Sequence, residues 1–116
     1  MNIYETVFNT LTGLCGGRVY PNVAPDEPIT PYIVYTRSST EPHNQPVDLN
    51  NYLKKTRFQI DCFDKTYKAV DALSASVITA IKNEPTLQTI PLLEQDQYEP
   101  DLKIHHRGLE YSVFHF

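Results

Sequence analysis

The residues that could perform chemistry in this chain are a histidine pair, His105-His106, and two cysteines, Cys15 and Cys62. Imidazole nitrogen and thiolate sulfur are preferred zinc ligands, so these side chains define a possible metal site. Adjacent residues of a strand face opposite ways, however, so His105 and His106 cannot easily chelate one ion. A small metal-binding enzyme that uses Cys62 with His105 or His106 therefore stays as the less favoured alternative.

The sequence lacks the other common signatures of catalysis. It has only four glycines, two of them adjacent, and therefore no glycine-rich phosphate loop. The patterns G-x-S-x-G, H-E-x-x-H and C-x-x-C are also missing. The acidic run Glu94, Asp96, Glu99 and Asp101 lacks the glycine and the ligand spacing of a calcium loop. We expect no catalytic residue, no metal and no cofactor, and thus no enzyme.

The first segment predicts an amphipathic helix. Asn2 is a plausible N-cap, and Glu5 follows three residues later, as in a capping box. At 100° per residue the apolar side chains share one face, namely Ile3, Tyr4, Val7, Phe8, Leu11, Leu14 and Cys15. Gly16-Gly17 then ends the helix, because glycine adopts the left-handed conformation without a steric cost.

Extended segments follow this helix. A short strand at 18–20 leads through a proline-rich connection to a second strand at 31–36. Residues 52–63 form the clearest strand, in which Phe58, Ile60 and Cys62 share one side.

The second half predicts a helix and a hairpin. Asp64 is expected to cap a helix that runs to about Asn83, and the stripe Val70, Leu73, Val77, Ala80 and Ile81 forms its buried face. Residues 87–98 and 103–116 read as two strands around a turn at Pro100.

Residues 37–51 are almost entirely polar, and they predict a long flexible loop between two strands. The order of elements indicates an α+β fold: a mixed, mostly antiparallel sheet with two helices packed on one face and this long inter-strand loop. From the length we expect residues 1–116 to form a single domain.

Charge and composition exclude several classes of protein. Ten Lys and Arg against fourteen Asp and Glu give a net charge of −4, which argues against a dedicated nucleic-acid binder. The cluster Lys54-Lys55 with Arg57 is too small to form such a footprint alone. No window approaches the ~20 apolar residues of a membrane helix. Eight tyrosines, mostly on or beside strands, favour an assembly protein, because tyrosine is enriched at protein interfaces.

Three stretches resemble the tail-completion (tail-terminator) proteins of long-tailed, siphovirus-type bacteriophages and prophages. Arg18-Val19-Tyr20-Pro21, Ala24-Pro25 and Pro31-Tyr32-Ile33-Val34-Tyr35 are similar to the opening of that family. The stretch from Arg57 to Phe63 resembles its central strand, and the closing hairpin through Tyr98, Asp101, His106-Arg107 and Tyr111 is also similar. Order and spacing carry the likeness, which spans nearly the whole chain.

The resemblance implies a non-enzymatic virion component that is assembled in the host bacterial cytoplasm. Such a subunit forms a ring, expected to be a hexamer, at the head-proximal end of the tail tube, where it stops tail polymerisation and joins the head. Its expected partners are further copies of itself, the tail tube protein and a head connector or head-completion protein, while genomic DNA passes through without specific binding. A head-completion protein is the alternative within this class. The interface is predicted on and beside the long loop, at Glu41, His43, Asn44, Gln45, Asp48, Asn50, Tyr52, Lys54 and Lys55.

Overall fold

The structure is a computed structural model that describes residues 3–46 and 52–115, apart from the side chains of residues 41–46, 52 and 53. Two helices and five strands follow one another along the chain. They are α1 (Ile3–Leu11), β1 (Val19–Pro21), β2 (Tyr32–Pro46), β3 (Tyr52–Asp64), α2 (Tyr67–Lys82), β4 (Gln88–Glu99) and β5 (Ile104–His115). A short 3-10 turn, Thr12–Leu14, extends α1.

The five strands form one sheet in the order β1-β2-β3-β5-β4. Only the short β1–β2 pair is parallel, and the other three pairs are antiparallel. The predicted α+β fold with a mixed, mostly antiparallel sheet is therefore confirmed. β3 and β5 lie in the centre, β4 forms one edge, and β1 covers only residues 33–35 of β2 at the other edge.

The hydrophobic core lies on the face of the sheet that the two helices cover. Phe58, Ile60 and Cys62 alternate along β3 as predicted, and all are at most 1% exposed. β5 contributes Leu109 and its alternate neighbours to the same face, as the register between the strands requires. The rest of this core comes from the apolar stripes of the helices, including Val7 and Leu11 of α1 and Leu73, Val77 and Ile81 of α2.

The structure corrects the predicted long loop at 37–51. Residues 37–46 belong to β2 and pair with β3 as far as Pro46 opposite Tyr52, while residues 47–51 lie outside the described residues. The two strands form a hairpin arm, which we define as residues 36–46 and 52–57. In the β2 part of the arm the described side chains from residue 37 to residue 40 are exposed, so no alternation of apolar and polar residues marked this part as a strand. Pro42 and Pro46 fit there because the outer part of β2 has no partner beyond it in the described sheet.

The ends of the helices also differ in part from the prediction. Thr66, not Asp64, caps α2, because its hydroxyl accepts a hydrogen bond from the Ala69 amide while Asp64 still belongs to β3. Gly16 and Gly17 follow α1 with positive φ, as their role in ending the helix requires. The predicted cap Asn2 lies outside the described residues.

The face of the sheet opposite the helices carries a row of stacked rings. Phe63 stacks between Tyr32 and His106, with ring centroids 4.5 Å and 4.4 Å apart. Burial, with the nearby Glu99 carboxylate, raises the pKa of the Tyr32 phenol. His106 Nε2 lies 2.7 Å from Asp61 Oδ1, and because a carboxylate can only accept, Nε2 is the donor.

A glycine makes room for this polar pair. A Cβ atom added to Gly108 would lie 3.0 Å from Asp61 Oδ1, closer than ordinary contact allows. Asp61 is buried and also accepts a hydrogen bond from Gln59, so it cannot move away without losing partners. The absence of a side chain at position 108 is therefore a condition for the bond between Asp61 and His106.

We predict that Gly108→Ala lowers the free energy of unfolding by about 1–3 kcal/mol, because the added methyl group displaces the Asp61 carboxylate. Urea denaturation measures the change. Gly13→Ala is the matched control, since a Cβ atom there meets nothing within 4 Å, and it should leave stability nearly unchanged. Equal stabilities of the two variants would contradict the proposed role of Gly108.

Candidate assembly surfaces

The two cysteines are part of the core and not of a reactive site. Cys62 is fully buried, and burial first of all raises the pKa of its thiol to about 12. Cys15 is also buried, its sulfur donates to the Arg18 carbonyl oxygen, and burial raises its pKa as well. A thiol that keeps its proton at neutral pH is a poor nucleophile and a poor metal ligand.

The two histidines lie on opposite faces of the sheet, as predicted. His105 contacts Tyr98 and Tyr67 on the helix-covered side, whereas His106 contacts Asp61 and Phe63 on the other. His106 Nδ1 is buried 3.7 Å from Glu99 Oε1 and has no hydrogen-bond partner among the described residues. Within residues 3–46 and 52–115, no three His, Cys, Asp or Glu side chains form a group that could hold a metal ion. Cys62 and His106 are separated by the sheet itself.

A buried arginine connects α2 to both strands of the last hairpin. The guanidinium of Arg107 donates to Asp96 Oδ1 at 2.6 Å and to Asp71 Oδ1 at 2.7 Å. It also donates to the hydroxyl oxygens of Ser74 and Tyr67, at 2.8 Å and 3.1 Å. The hydrogen bonds to the carboxylates of Asp96 and Asp71 raise the pKa of Arg107 further above its usual range, so the group keeps its charge. One side chain thus fixes the position of α2 and of the edge strand β4.

β4 is an edge strand with little cover. Ten of its twelve residues are exposed, and in the described sheet it pairs only with β5. Ile90, Leu92 and Leu93 are 49%, 42% and 51% exposed, which is unusual for three large apolar side chains within four positions. The ladder with β5 shifts between Pro91 and Leu93, so Leu92 lies in a bulge. A group of exposed apolar side chains of this kind is typical of a surface that contacts another chain.

The predicted interface residues lie on the hairpin arm. Glu41, His43, Asn44 and Gln45 lie in β2 and Tyr52 in β3, whereas Asp48 and Asn50 lie outside the described residues. Lys54 is exposed near the base of the arm, and Lys55 is half-buried on the next position. The structure brings the described members into one hairpin, with Glu41 opposite Lys55 in the ladder.

The arm has its own polar packing on the helix-covered side. The hydroxyl of Thr56 is 2.9 Å from the Thr40 hydroxyl and 2.7 Å from His115 Nε2, so three neighbouring strands are joined at this point. Thr56 is fully buried, and it lies opposite Val113 of the core in the ladder between β3 and β5. β2 and β3 continue to pair beyond the last residue pair between β3 and β5, so the arm extends the sheet.

Comparison with known families identifies the class of protein to which the chain belongs. The family model described as tail completion protein gp17 matches residues 8–115, which include every described strand. The chain belongs to the tail completion protein gp17 family. The resemblance seen in the sequence is therefore confirmed, and this tail completion protein is a structural component of a phage-type virion.

A solved structure also matches the fold of this tail completion protein. A chain in the virion of a native gene transfer agent (GTA) particle has a TM-score of 0.66 at 13% sequence identity, over 97% of this chain and 92% of that chain. No curated protein sequence matches the chain. Among the described helices, none is both long enough and apolar enough to cross a membrane.

Sequence reasoning missed Arg107, Gly108 and the exposed β4 edge. Arg107 is a single charge within an alternating strand, and its partners on α2 and β4 are not adjacent in sequence. The apolar run Ile90 to Leu93 was a detectable signal for the edge, because it interrupts the alternation expected of a strand with one buried face.

We predict that Arg107→Lys lowers the free energy of unfolding by about 1–3 kcal/mol, because one ammonium group cannot reach four acceptors on the two elements α2 and β4. The half-exposed Asp71 and Asp96 remain partly solvated, which limits the loss. Urea denaturation of Arg107→Lys and of the exposed control Arg57→Lys measures the difference. An effect no larger than that of the control would show that the fork of hydrogen bonds is unimportant.

We also predict that neither thiol of the folded chain reacts at a normal rate. At pH 8 a thiol with a pKa near 12 is ionised to about one part in ten thousand, and burial adds a steric barrier. Alkylation should be at least about a thousandfold slower than in the urea-unfolded chain, where both cysteines should react. Rapid labelling of Cys62 under native conditions would restore the nucleophile and metal-ligand interpretations.

Proposed function

We propose that this tail completion protein forms a closed ring at the head-proximal end of the tail tube, where it stops tube polymerisation and offers a surface to the head. The observation that carries the proposal is the family match over nearly the whole chain. On this proposal the subunit has no enzymatic activity, and its function belongs to the assembled ring.

The geometry of the sheet supports a ring. A closed cyclic assembly needs two different surfaces on each subunit that fit each other, because every subunit meets its neighbours head to tail. The described chain has two unlike candidates on opposite sides of the sheet: the exposed β4 edge and the hairpin arm with the uncovered outer part of β2. We propose six subunits in the ring, a number that the sequence resemblance suggests and that this geometry does not determine.

The arm supplies contacts to other subunits or to neighbouring virion proteins. Its predicted contact residues are Glu41, His43, Asn44, Gln45, Asp48, Asn50, Tyr52, Lys54 and Lys55. Lys54 and Lys55 lie in β3, and residues on a strand are positioned more precisely than residues on a loop, which favours specific docking. The proposed partners at the two ends of the ring are the tail tube protein and a head connector or head-completion protein.

The charge of the chain is compatible with DNA passage. A net charge of −4 disfavours binding to phosphates, so DNA moving through the ring would not be retained by the subunits. No cofactor is required for this role, which is mechanical.

Deletion of the gene from the phage or prophage that encodes this chain tests the proposal. We expect electron micrographs of the lysate to show DNA-filled heads and overlong or unjoined tails, because nothing would cap the growing tube. Supply of the wild-type chain in trans is the control and should restore joined particles of normal length.

Two outcomes would contradict the proposal. Normal, joined particles in the deletion lysate would exclude a completion role altogether. Free tails of normal length beside heads that have lost their DNA would instead assign the chain to the head-completion class.

A further inference from the structure

An apolar groove lies between the end of α2 and β4. Its lining includes Ile78 and Ile81 from the helix, Leu87 before β4, and Pro91, Leu92 and Leu93 from the strand. The groove has a volume of about 750 Å³, large enough to accept several side chains. The exposed fractions of Ile78, Leu92 and Leu93 are between 37% and 51%, so apolar surface remains in contact with water.

The same groove adjoins an open strand edge. β4 is twelve residues long, and those of its backbone groups that point away from β5 have no strand partner in the described sheet. Pro91, the bulge at Leu92 and the three carboxylates of β4 discourage the addition of another strand at this edge. The exposed apolar side chains beside the edge therefore indicate a surface that is covered by side-chain contacts in the assembled state.

The charge around the groove is mostly negative. Residues 83–102 hold five of the fourteen acidic residues and no Lys, Arg or His, so the remaining chain carries ten Lys and Arg against nine acids. The groove lining itself has two acids, Glu94 and Glu110, and one base, Lys82, while Asp96 is paired with Arg107. This excess of negative charge favours an occupant with positive charge.

The hairpin arm of the same chain has the opposite character. Three basic residues, Lys54, Lys55 and Arg57, lie within four positions of β3. Arg37 lies in β2 at the base of the arm. Lys54, Arg57 and Arg37 are exposed. The part of β2 beyond its pairing with β1, residues 36–46, forms a second open edge of nearly the same length as β4.

We propose that the groove between α2 and β4 receives the basic hairpin arm of a second copy of the chain. The inference rests on the proposed ring and names the contact that closes it. Apolar side chains of β4 are covered by the arm, and Glu94 lies against the basic residues around Lys54. The arm lies toward the β2 edge of the sheet and the groove lies at the β4 edge. Each subunit can therefore contact one neighbour through the arm and another through the groove.

Charge reversal tests this contact. Glu94→Lys and Lys54→Glu should each weaken self-association about tenfold or more, because like charges then meet at the contact. The double variant Glu94→Lys/Lys54→Glu should recover most of the wild-type association, whereas Leu92→Asp should abolish association without rescue. Light scattering over a concentration series measures the mass, and urea denaturation verifies that each variant folds.

A matched control and an independent readout complete the design. Asp101→Lys makes the same charge change on the exposed turn after β4 and should associate like the wild type. Zero-length carbodiimide cross-linking of the wild type, in solution and in purified particles, should join the Glu94 carboxylate to the Lys54 or Lys55 amine of a different copy, as located by mass spectrometry.

The outcomes separate this inference from the proposed function. If the single charge reversals associate normally, or if cross-links from Glu94 lead to another protein, the arm is not the occupant while the ring still stands. A chain that stays monomeric in solution and shows no arm-to-groove cross-link in particles also overturns the inference. Failure of the ring itself is seen separately, as normal joined particles in the deletion lysate.

Discussion

The register between the two central strands determines where every functional group of this protein lies. β3 and β5 pair without interruption from Lys54 opposite His115 to Asp64 opposite His105. A shift by one residue would turn Phe58 and Ile60 to the face without helices and bring Asp61 into the apolar core. Burial of the apolar face therefore selects this register strongly. The hydrogen bonds of His106 and Arg107 also depend on this register, because each of these side chains links β5 to a defined position of another element.

The side chains of the neighbouring residues His106 and Arg107 form these two groups of polar contacts on opposite faces of the sheet. Arg107 reaches α2 and β4 on the helix-covered face, and His106 reaches Asp61 on the other face. Each is largely buried, so either would lose its partners if β5 shifted. Gly108 follows directly and leaves room for the Asp61 carboxylate. Burial of the core has no preferred direction, whereas hydrogen bonds do. Residues 106–108 of β5 therefore fix the position of this strand more precisely than burial alone.

The sequence predicted the parts of the fold that have one buried face. The stripe of α2 and the alternation of Phe58, Ile60 and Cys62 are periodic because one side of each element meets the core. The outer part of β2 has no such side, so its polar residues resembled a loop although they pair with β3. The contacts of Arg107 join residues far apart in the chain, and no local pattern encodes them. The family resemblance could be detected because it depends on the order and spacing of short segments along the chain, and not on residues that mark a site.

The weak cover of β4 has a consequence for the energetics of the subunit. Its apolar side chains add little burial, so the strand is held by its backbone bonds to β5 and by the bond from Arg107 to Asp96. Regions with few buried contacts open locally at a lower free-energy cost than the whole domain unfolds. β4 is thus expected to be the least protected strand in hydrogen exchange of an isolated subunit. A neighbour seated on it would raise this local opening free energy, and assembly would then stabilise the very element that recognises the neighbour.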